Sequence, residues 1–237
     1  MDTGRSRRSQ TVLYQVGHSL YVNLTNKCPC ACTFCIRRNA DHVYEETESL
    51  WLNHEPDLTE VKAAFAHWDM TKFQELVFCG YGEPTEALDL LLQTARYAKE
   101  QFGIRTRINT NGLGNLINGR QIEKELLETI DTVSISLNTS DSEQYNSIVR
   151  PRFGRQSWQA MVNFAKNCVA AGLEVVMTTV STTISAEDEA ACAELCRTIG
   201  ARYRIRTYSS APGDRNVPEQ LSENTVGGHD ADIQRAC

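Results

Sequence analysis

Four of the nine cysteines of this 237-residue chain crowd into the run Cys28-Pro29-Cys30-Ala31-Cys32-Thr33-Phe34-Cys35. Cys28, Cys32 and Cys35 have the spacing C-x3-C-x2-C, which lets three thiolates of one loop converge on a single polynuclear centre. An ordinary iron-sulfur cluster takes four ligands. Three leave one iron open, by the logic that separates open catalytic zinc sites from closed structural ones. Cys30 is extra to the spacing. A zinc knuckle, or thiols crowded by chance, is the plainer alternative, but a closed zinc site normally needs two ligand pairs. No second C-x-x-C or H-x-x-x-H follows downstream.

Further runs place polar groups at the ends of apolar segments. Cys79-Gly80-Tyr81-Gly82-Glu83-Pro84 follows Glu75-Leu76-Val77-Phe78. Glycines let the backbone approach a ligand closely, and exposed carbonyls beside a carboxylate suit a cationic amine; an ordinary strand-to-helix turn is the bland reading. Asn109-Thr110-Asn111-Gly112 closes the next such segment. Val133, Ile135 and Leu137 then alternate with Ser134, Ser136 and Asn138, giving one apolar face for the helices and one polar face for the interior. The same parity puts Arg105, Arg107 and Asn109 on one strand face, and Arg204 and Arg206 on one face of the last strand. Uncompensated buried charge is costly, so acidic neighbours or an anionic ligand must meet these arginines. A carboxylate- or phosphate-bearing substrate at Arg204 and Arg206 is the expectation, with snorkelling at an exposed edge as the alternative.

In this order the motifs resemble the radical S-adenosylmethionine (SAM) superfamily over about residues 18 to 208. The resemblance implies that Cys28, Cys32 and Cys35 hold a [4Fe-4S] cluster whose fourth iron is chelated by SAM, with Phe34 against the adenine. It implies that Gly80, Gly82, Glu83 and Pro84, a Gly-x-Gly-Glu-Pro form of the family's Gly-Gly-Glu-Pro motif, bind the SAM amino group. Asn109 and Asn111 would reach the ribose or methionyl part, Ser136 of Ser136-Leu137-Asn138 would contact SAM, and Arg150 would pair with its carboxylate, for which a bidentate guanidinium is suited. The implied reaction is reductive cleavage of SAM to methionine and a deoxyadenosyl radical that abstracts hydrogen from a substrate, driven by a flavodoxin or ferredoxin. The runs 77–85 and 109–116 are similar to the small subgroup associated with TatD-type hydrolases, which hints at a nucleotide-related substrate. A glycyl-radical-type activating enzyme for a protein partner is a second enzymatic reading. A non-catalytic iron-sulfur or zinc scaffold is the reading from another class, and Cys30 or Cys79 could supply a fourth thiolate that closes the site.

The elements that must position these residues follow from periodicity. Strands are expected at 20–25, 75–78, 104–110, 132–138, 173–180 and 201–208. Helices are expected from Asp57, whose Glu60 three residues on marks an N-terminus, and over 85–101, 118–128, 141–149, 156–171 and 186–199. Ser140 with Glu143, and Ser185 with Asp188, are capping-box signals. Six strands alternating with helices predict a parallel α/β sheet, open or closed; the resemblance implies an incomplete (β/α)6 TIM-like barrel with its ligands at the C-terminal strand ends. Cys168, Cys192 and Cys196 fall on apolar helix faces and read as core. Residues 37–56 show no period and are a candidate lid.

At 41% hydrophobic the chain can build one sizeable core. The expected organisation is a polar tail over 1–12, one domain over 13–208 and a polar tail over 209–237. Free cysteines without signal or membrane-spanning runs predict a cytoplasmic protein. A net charge of -6 argues against general nucleic-acid binding. Basic clusters at Arg37 with Arg38, and at Arg150, Arg152 and Arg155, read as solvated faces.

Overall fold

The computed structural model describes residues 10–38 and 49–206. Strands β1 (Leu13–Val16), β2 (Ser19–Val22), β3 (Glu75–Phe78), β4 (Arg105–Thr110), β5 (Thr132–Ser136), β6 (Glu174–Val180) and β7 (Arg202–Arg206) form one sheet in chain order. From β2 to β7 every pairing is parallel, and β1 adds an antiparallel strand at the β2 edge. The sheet is not closed, so the incomplete six-unit barrel is present with one extra strand. That strand was not expected. Leu13-Tyr14-Gln15-Val16 and Ser19-Leu20-Tyr21-Val22 flank Gly17-His18, and Gly17 takes the positive φ of 57° that so tight a hairpin needs. Val12, expected in the tail, is buried, and its carbonyl accepts from the Asn23 amide at 2.8 Å.

The connecting helices are α1 (Leu58–Phe65), α2 (Leu88–Phe102), α3 (Gly114–Asn118), α4 (Glu123–Leu127), α5 (Ser142–Val149), α6 (Gln156–Ala171) and α7 (Ala186–Ile199). Asp57 and Glu60 form the capping box of α1. The helix expected over 118–128 is the shorter α4, and α3, which was not expected, precedes it and ends at Gly119 with φ 64°. At α5 the cap is Asp141, which accepts from the Gln144 amide, rather than Ser140. Ser140 instead donates to the Asp188 carboxylate of α7, as Thr139 does at 2.7 Å. Ser185 caps α7 by accepting from the Asp188 amide.

Alternation gives the sheet two unlike faces. Leu20, Val22, Leu76, Phe78, Ile108, Val133, Ile135 and Met177 pack against Val61, Phe65, Leu91, Met161, Ala165, Cys168, Cys192 and Cys196 of the helices. Each buried Val, Leu, Ile, Phe or Met among them contributes about 1.5–3 kcal/mol. On the inner face, lateral partners run Tyr21, Val77, Arg107, Thr132 and Glu174 across five strands, and one level higher Asn109, Ser134, Val176 and Arg202. Ser136, Thr178 and Arg204 make the next row, and Val180 faces Arg206. Tyr14, Tyr21, Leu50, Val77, Cys79 and Tyr81 form a second apolar cluster on this face. Of the candidate lid, 39–48 lies outside the described residues; the part from 49 on is packed, with Leu50 and Leu52 fully buried. Among the described residues no helix is long and apolar enough to cross a membrane.

Candidate active site

The cysteine loop leaves β2 and is braced from both sides. On one side the Asn26 side chain and the Leu52 backbone exchange hydrogen bonds of 2.8 and 3.0 Å, and Thr25 Oγ1 donates to Glu55 Oε1 at 2.6 Å. On the other, the Ala31 and Thr33 amides donate to the Val149 and Ile148 carbonyls at 3.0 and 2.8 Å, and the Arg152 amide donates to the Pro29 carbonyl at 2.8 Å. Hydrogen bonds on both flanks hold the loop in place.

Glycines let the neighbouring turn reach this loop. A Cβ on Gly80 would stand 2.1 Å from Asn23 Oδ1, and one on Gly82 would stand 2.2 Å from the Thr25 carbonyl oxygen. The sequence reading assigned these glycines to closeness with a ligand; the contacts show that they first permit closeness between two loops. Glu83 joins a third. Its amide donates to the Lys27 carbonyl at 2.7 Å, and its carboxylate accepts from Thr110 Oγ1 and the Asn111 amide, both at 2.7 Å, and from Thr85. Burial pushes the Glu83 pKa up, against the donors that favour the carboxylate. Among the described residues no cation pairs with it.

Above these loops, at the C-terminal ends of the strands, lies a cavity of about 110 Å³. Cys28, Cys32, Cys35, Phe34, Gly80, Gly82, Glu83, Asn109, Asn111, Ser136 and Arg206 all line it. Eleven positions expected to act together, from residue 28 to residue 206, therefore meet at one place. Three others do not reach it. Pro84 is buried at the start of the 3-10 turn Pro84–Ala87. Arg204 sits a row below Arg206 on the inner face. Arg150 is exposed at the C-terminal end of α5 in the left-handed region, φ 50°, with its Nε donating to the Ser147 carbonyl at 3.2 Å. Arg150 is not among the residues that line the cavity.

The structure adds residues to the wall: Cys30, Arg37, Cys79, Tyr81, Thr110 and Asn138. Asn138 has φ 67°, a conformation Asn adopts more readily than most residues, which is the signal that could have singled it out. Arg37 donates to the Tyr81 and Cys30 carbonyls at 3.3 and 3.1 Å, tying the cysteine loop to the glycine turn. Contact with the Cys30 thiol holds the Cys28 pKa below its ordinary value despite burial, and the same contact with burial pushes Cys30 up. Burial pushes Cys32 up to about 12.

The donor set fits an iron-sulfur cluster. Three thiols of one loop face a single cavity. Among the described residues no three acidic, His or Cys side chains are placed to hold one ion, whereas a cluster takes its thiolates on separate irons. None of the eight described cysteines is in a disulfide. The inner face beside them offers amides, a hydroxyl and a guanidinium, which suits a polar cosubstrate.

Comparison with known proteins agrees. The family model described as the radical SAM superfamily matches residues 22–199. The GTP 3',8-cyclase of Corynebacterium glutamicum (strain R) is 28% identical over 201 residues, covering 81% of this chain and 49% of that enzyme. This chain thus spans about half the length of its curated relative. Among solved structures, SuiB of Streptococcus suis bound to S-adenosylmethionine superposes with a TM-score of 0.60 at 20% identity, covering 87% of this chain and 44% of SuiB. Methylornithine synthase (PylB) gives 0.59 at 18% identity, covering 82% and 54%. These likenesses show the fold. The matched family model spans the cysteine loop, both glycine turns and the polar strand, and the chain belongs to the radical SAM superfamily, enzymes that use a [4Fe-4S] cluster and SAM.

Proposed function

We propose that Cys28, Cys32 and Cys35 hold the cluster, that SAM lies across the ends of β3, β4 and β5, and that the enzyme acts on a substrate carrying an anionic group. One observation carries the reading: a single cavity is lined at once by the three cysteines, the Gly80–Glu83 turn, Asn109, Asn111, Ser136 and Arg206. When bound, the cluster and SAM supply a one-electron cleavage to methionine and a deoxyadenosyl radical that takes hydrogen from the substrate.

The chain's own residues prepare the place. Glu83, a buried carboxylate with four hydrogen-bond donors and no described cation, offers its remaining charge to the SAM ammonium. Phe34 supplies an apolar wall for the adenine. Asn109 and Ser136 offer hydrogen bonds along the inner face. Arg206, at the upper end of β7, supplies positive charge where a phosphate or carboxylate of the substrate would sit. The relative that acts on GTP supports a nucleotide-related substrate. The runs 77–85 and 109–116 support placement in the TatD-associated subgroup, with a functional link to a TatD-type hydrolase. A flavodoxin or ferredoxin in a reducing cytoplasm is the fitting electron source. A metal scaffold has no use for the glycine-and-glutamate turn beside the cysteines, which favours the enzymatic reading over it.

Anaerobic reconstitution tests this directly. The unsubstituted protein should take up about four irons per chain and release deoxyadenosine from SAM with dithionite, and Cys32→Ala should do neither. Retained cleavage in Cys32→Ala would sink the assignment. With GTP as probe, Arg206→Ala should weaken binding, and unchanged binding in Arg204→Ala and Arg206→Ala together would remove the anionic substrate.

A further inference from the structure

Arg150, which the sequence reading turned toward SAM, instead faces solvent in company. Arg150, Arg152 and Arg155 are all exposed within six residues, in a protein whose net charge is -6. Among the described residues, acidic neighbours answer only one of them: Arg152 lies 3.4 Å from Glu86 and over the Phe153 ring at 4.8 Å. Arg150 spends one donor on the Ser147 carbonyl, and among the described residues Arg155 has no acidic partner.

The position of this cluster matters more than its charge. The same segment is laced to the cysteine loop, through Thr33 to Ile148, Ala31 to Val149, Arg152 to Pro29, and an antiparallel bridge of Cys30 with Pro151. Chains so paired lie about 4.8 Å apart. A protein seated on this patch at Arg150 and Arg152 is therefore about one backbone's width from the cysteine loop.

We propose that the Arg150–Arg152–Arg155 loop is the docking surface for an acidic one-electron carrier protein that reduces the cluster. This rests on the cluster reading above and adds where the electron enters. With a flavodoxin as carrier, one electron leaves the anionic flavin hydroquinone, which becomes the neutral semiquinone, and enters the oxidised cluster; no proton moves. The arginines steer and orient the acidic partner, an effect that salt screens. The charge could equally meet a nucleic acid, but the position against the cysteine loop and the overall negative charge favour the carrier.

The test compares two variants of the reconstituted holoenzyme that each lower the net charge by two. Arg150→Asn with Arg155→Gln removes the patch; Asn tolerates the left-handed backbone at 150. Lys166→Glu alters an exposed site in α6, ten residues, or about 15 Å, from its first residue. Titration with oxidised flavodoxin should show a dissociation constant about tenfold higher for the double variant at low salt. The difference should shrink at physiological salt, with Lys166→Glu near the unsubstituted value. Cluster reduction by flavodoxin hydroquinone should slow in parallel, while dithionite, which needs no docking, should reduce every variant alike. Unchanged carrier binding in the double variant with dithionite reduction intact would overturn the docking surface alone, as would an equal loss in Lys166→Glu. Loss of a labelled RNA or DNA duplex from the double variant with carrier binding intact would assign the patch to nucleic acid and overturn it too. Failure of dithionite itself to reduce the unsubstituted protein would overturn the cluster reading, and this proposal with it.

Discussion

The two ends of the inner face are built from the same strands and finished in opposite ways. At the N-terminal ends the protein answers its own charges. Arg107 binds Glu75 at 2.9 Å, and Arg105 and Arg202 both reach Glu174. Tyr14 and Tyr21, with ring centroids 5.2 Å apart, fill the space beside them with Leu50 and Val77. At the C-terminal ends the cysteines, Asn109, Ser136 and Arg206 face a cavity, and Glu83 keeps a buried carboxylate that no described cation meets. One end closes on its own ion pairs and the other opens on a cavity. The site proposed here rests on that difference as much as on any single motif.

Substitutions should divide along the same line. The largest effect is expected at the upper end: Cys32→Ala removes cluster and SAM cleavage altogether while leaving the far-ultraviolet circular dichroism unchanged. A collapsed fold would show that the loop is structural. Next comes the lower end, where Glu75→Ala leaves Arg107 buried without its carboxylate. Breaking such a pair costs about 3–5 kcal/mol, so thermal melting should fall steeply although cluster content after reconstitution does not. A small shift in melting would mean that the remaining neighbours of Arg107 suffice.

Glu83→Gln should have a mixed and intermediate effect. SAM affinity, read by calorimetry, should fall about tenfold, the size of one lost charged contact, and stability should fall by about 1–2 kcal/mol because an amide cannot accept from all the donors. The sign of the pH dependence follows from the raised Glu83 pKa. Without ligand, the raised value favours the folded state at low pH, and that contribution is lost as pH rises through it. SAM binding should run the other way, tightening as pH rises through the same value and Glu83 ionises; affinity flat with pH would remove Glu83 as the ammonium partner. The smallest effect belongs to Glu174→Ala. Its partners Arg105 and Arg202 are 63% and 69% exposed, and pairs so open to solvent contribute about 0–1 kcal/mol.

The sequence carried the site further than its edges. Cys28, Gly80, Asn109 and Ser136 were brought together on paper by the family resemblance of their motifs, and strand parity with parallel order added that Asn109 and Ser136 share a face and an end. Arg105 and Arg107 show the limit of parity. It placed them on the inner face, yet only the register, which sets Glu75 beside Arg105 and Thr132 beside Glu174, shows that acidic neighbours meet them. Arg150 shows another limit: a twelve-residue offset from a strand says nothing of the left-handed backbone, φ 50°, at which it lies exposed outside the cavity lining. β1 was missed because four residues ending at Gly17 make a weak period. The cap of α5 was placed on Ser140 instead of Asp141 because two adjacent oxygens competed, and Asp141 took the helix while Ser140 was drawn to Asp188.

The most direct test of the central claim is low-temperature EPR of the reconstituted, dithionite-reduced protein with and without SAM. A cluster held by Cys28, Cys32 and Cys35 with one iron open should give a [4Fe-4S]+ signal whose shape changes when SAM is added. A signal indifferent to SAM, or zinc bound tightly in place of iron, would mean that Cys30 or Cys79 closes the fourth position and that the cavity serves something other than SAM.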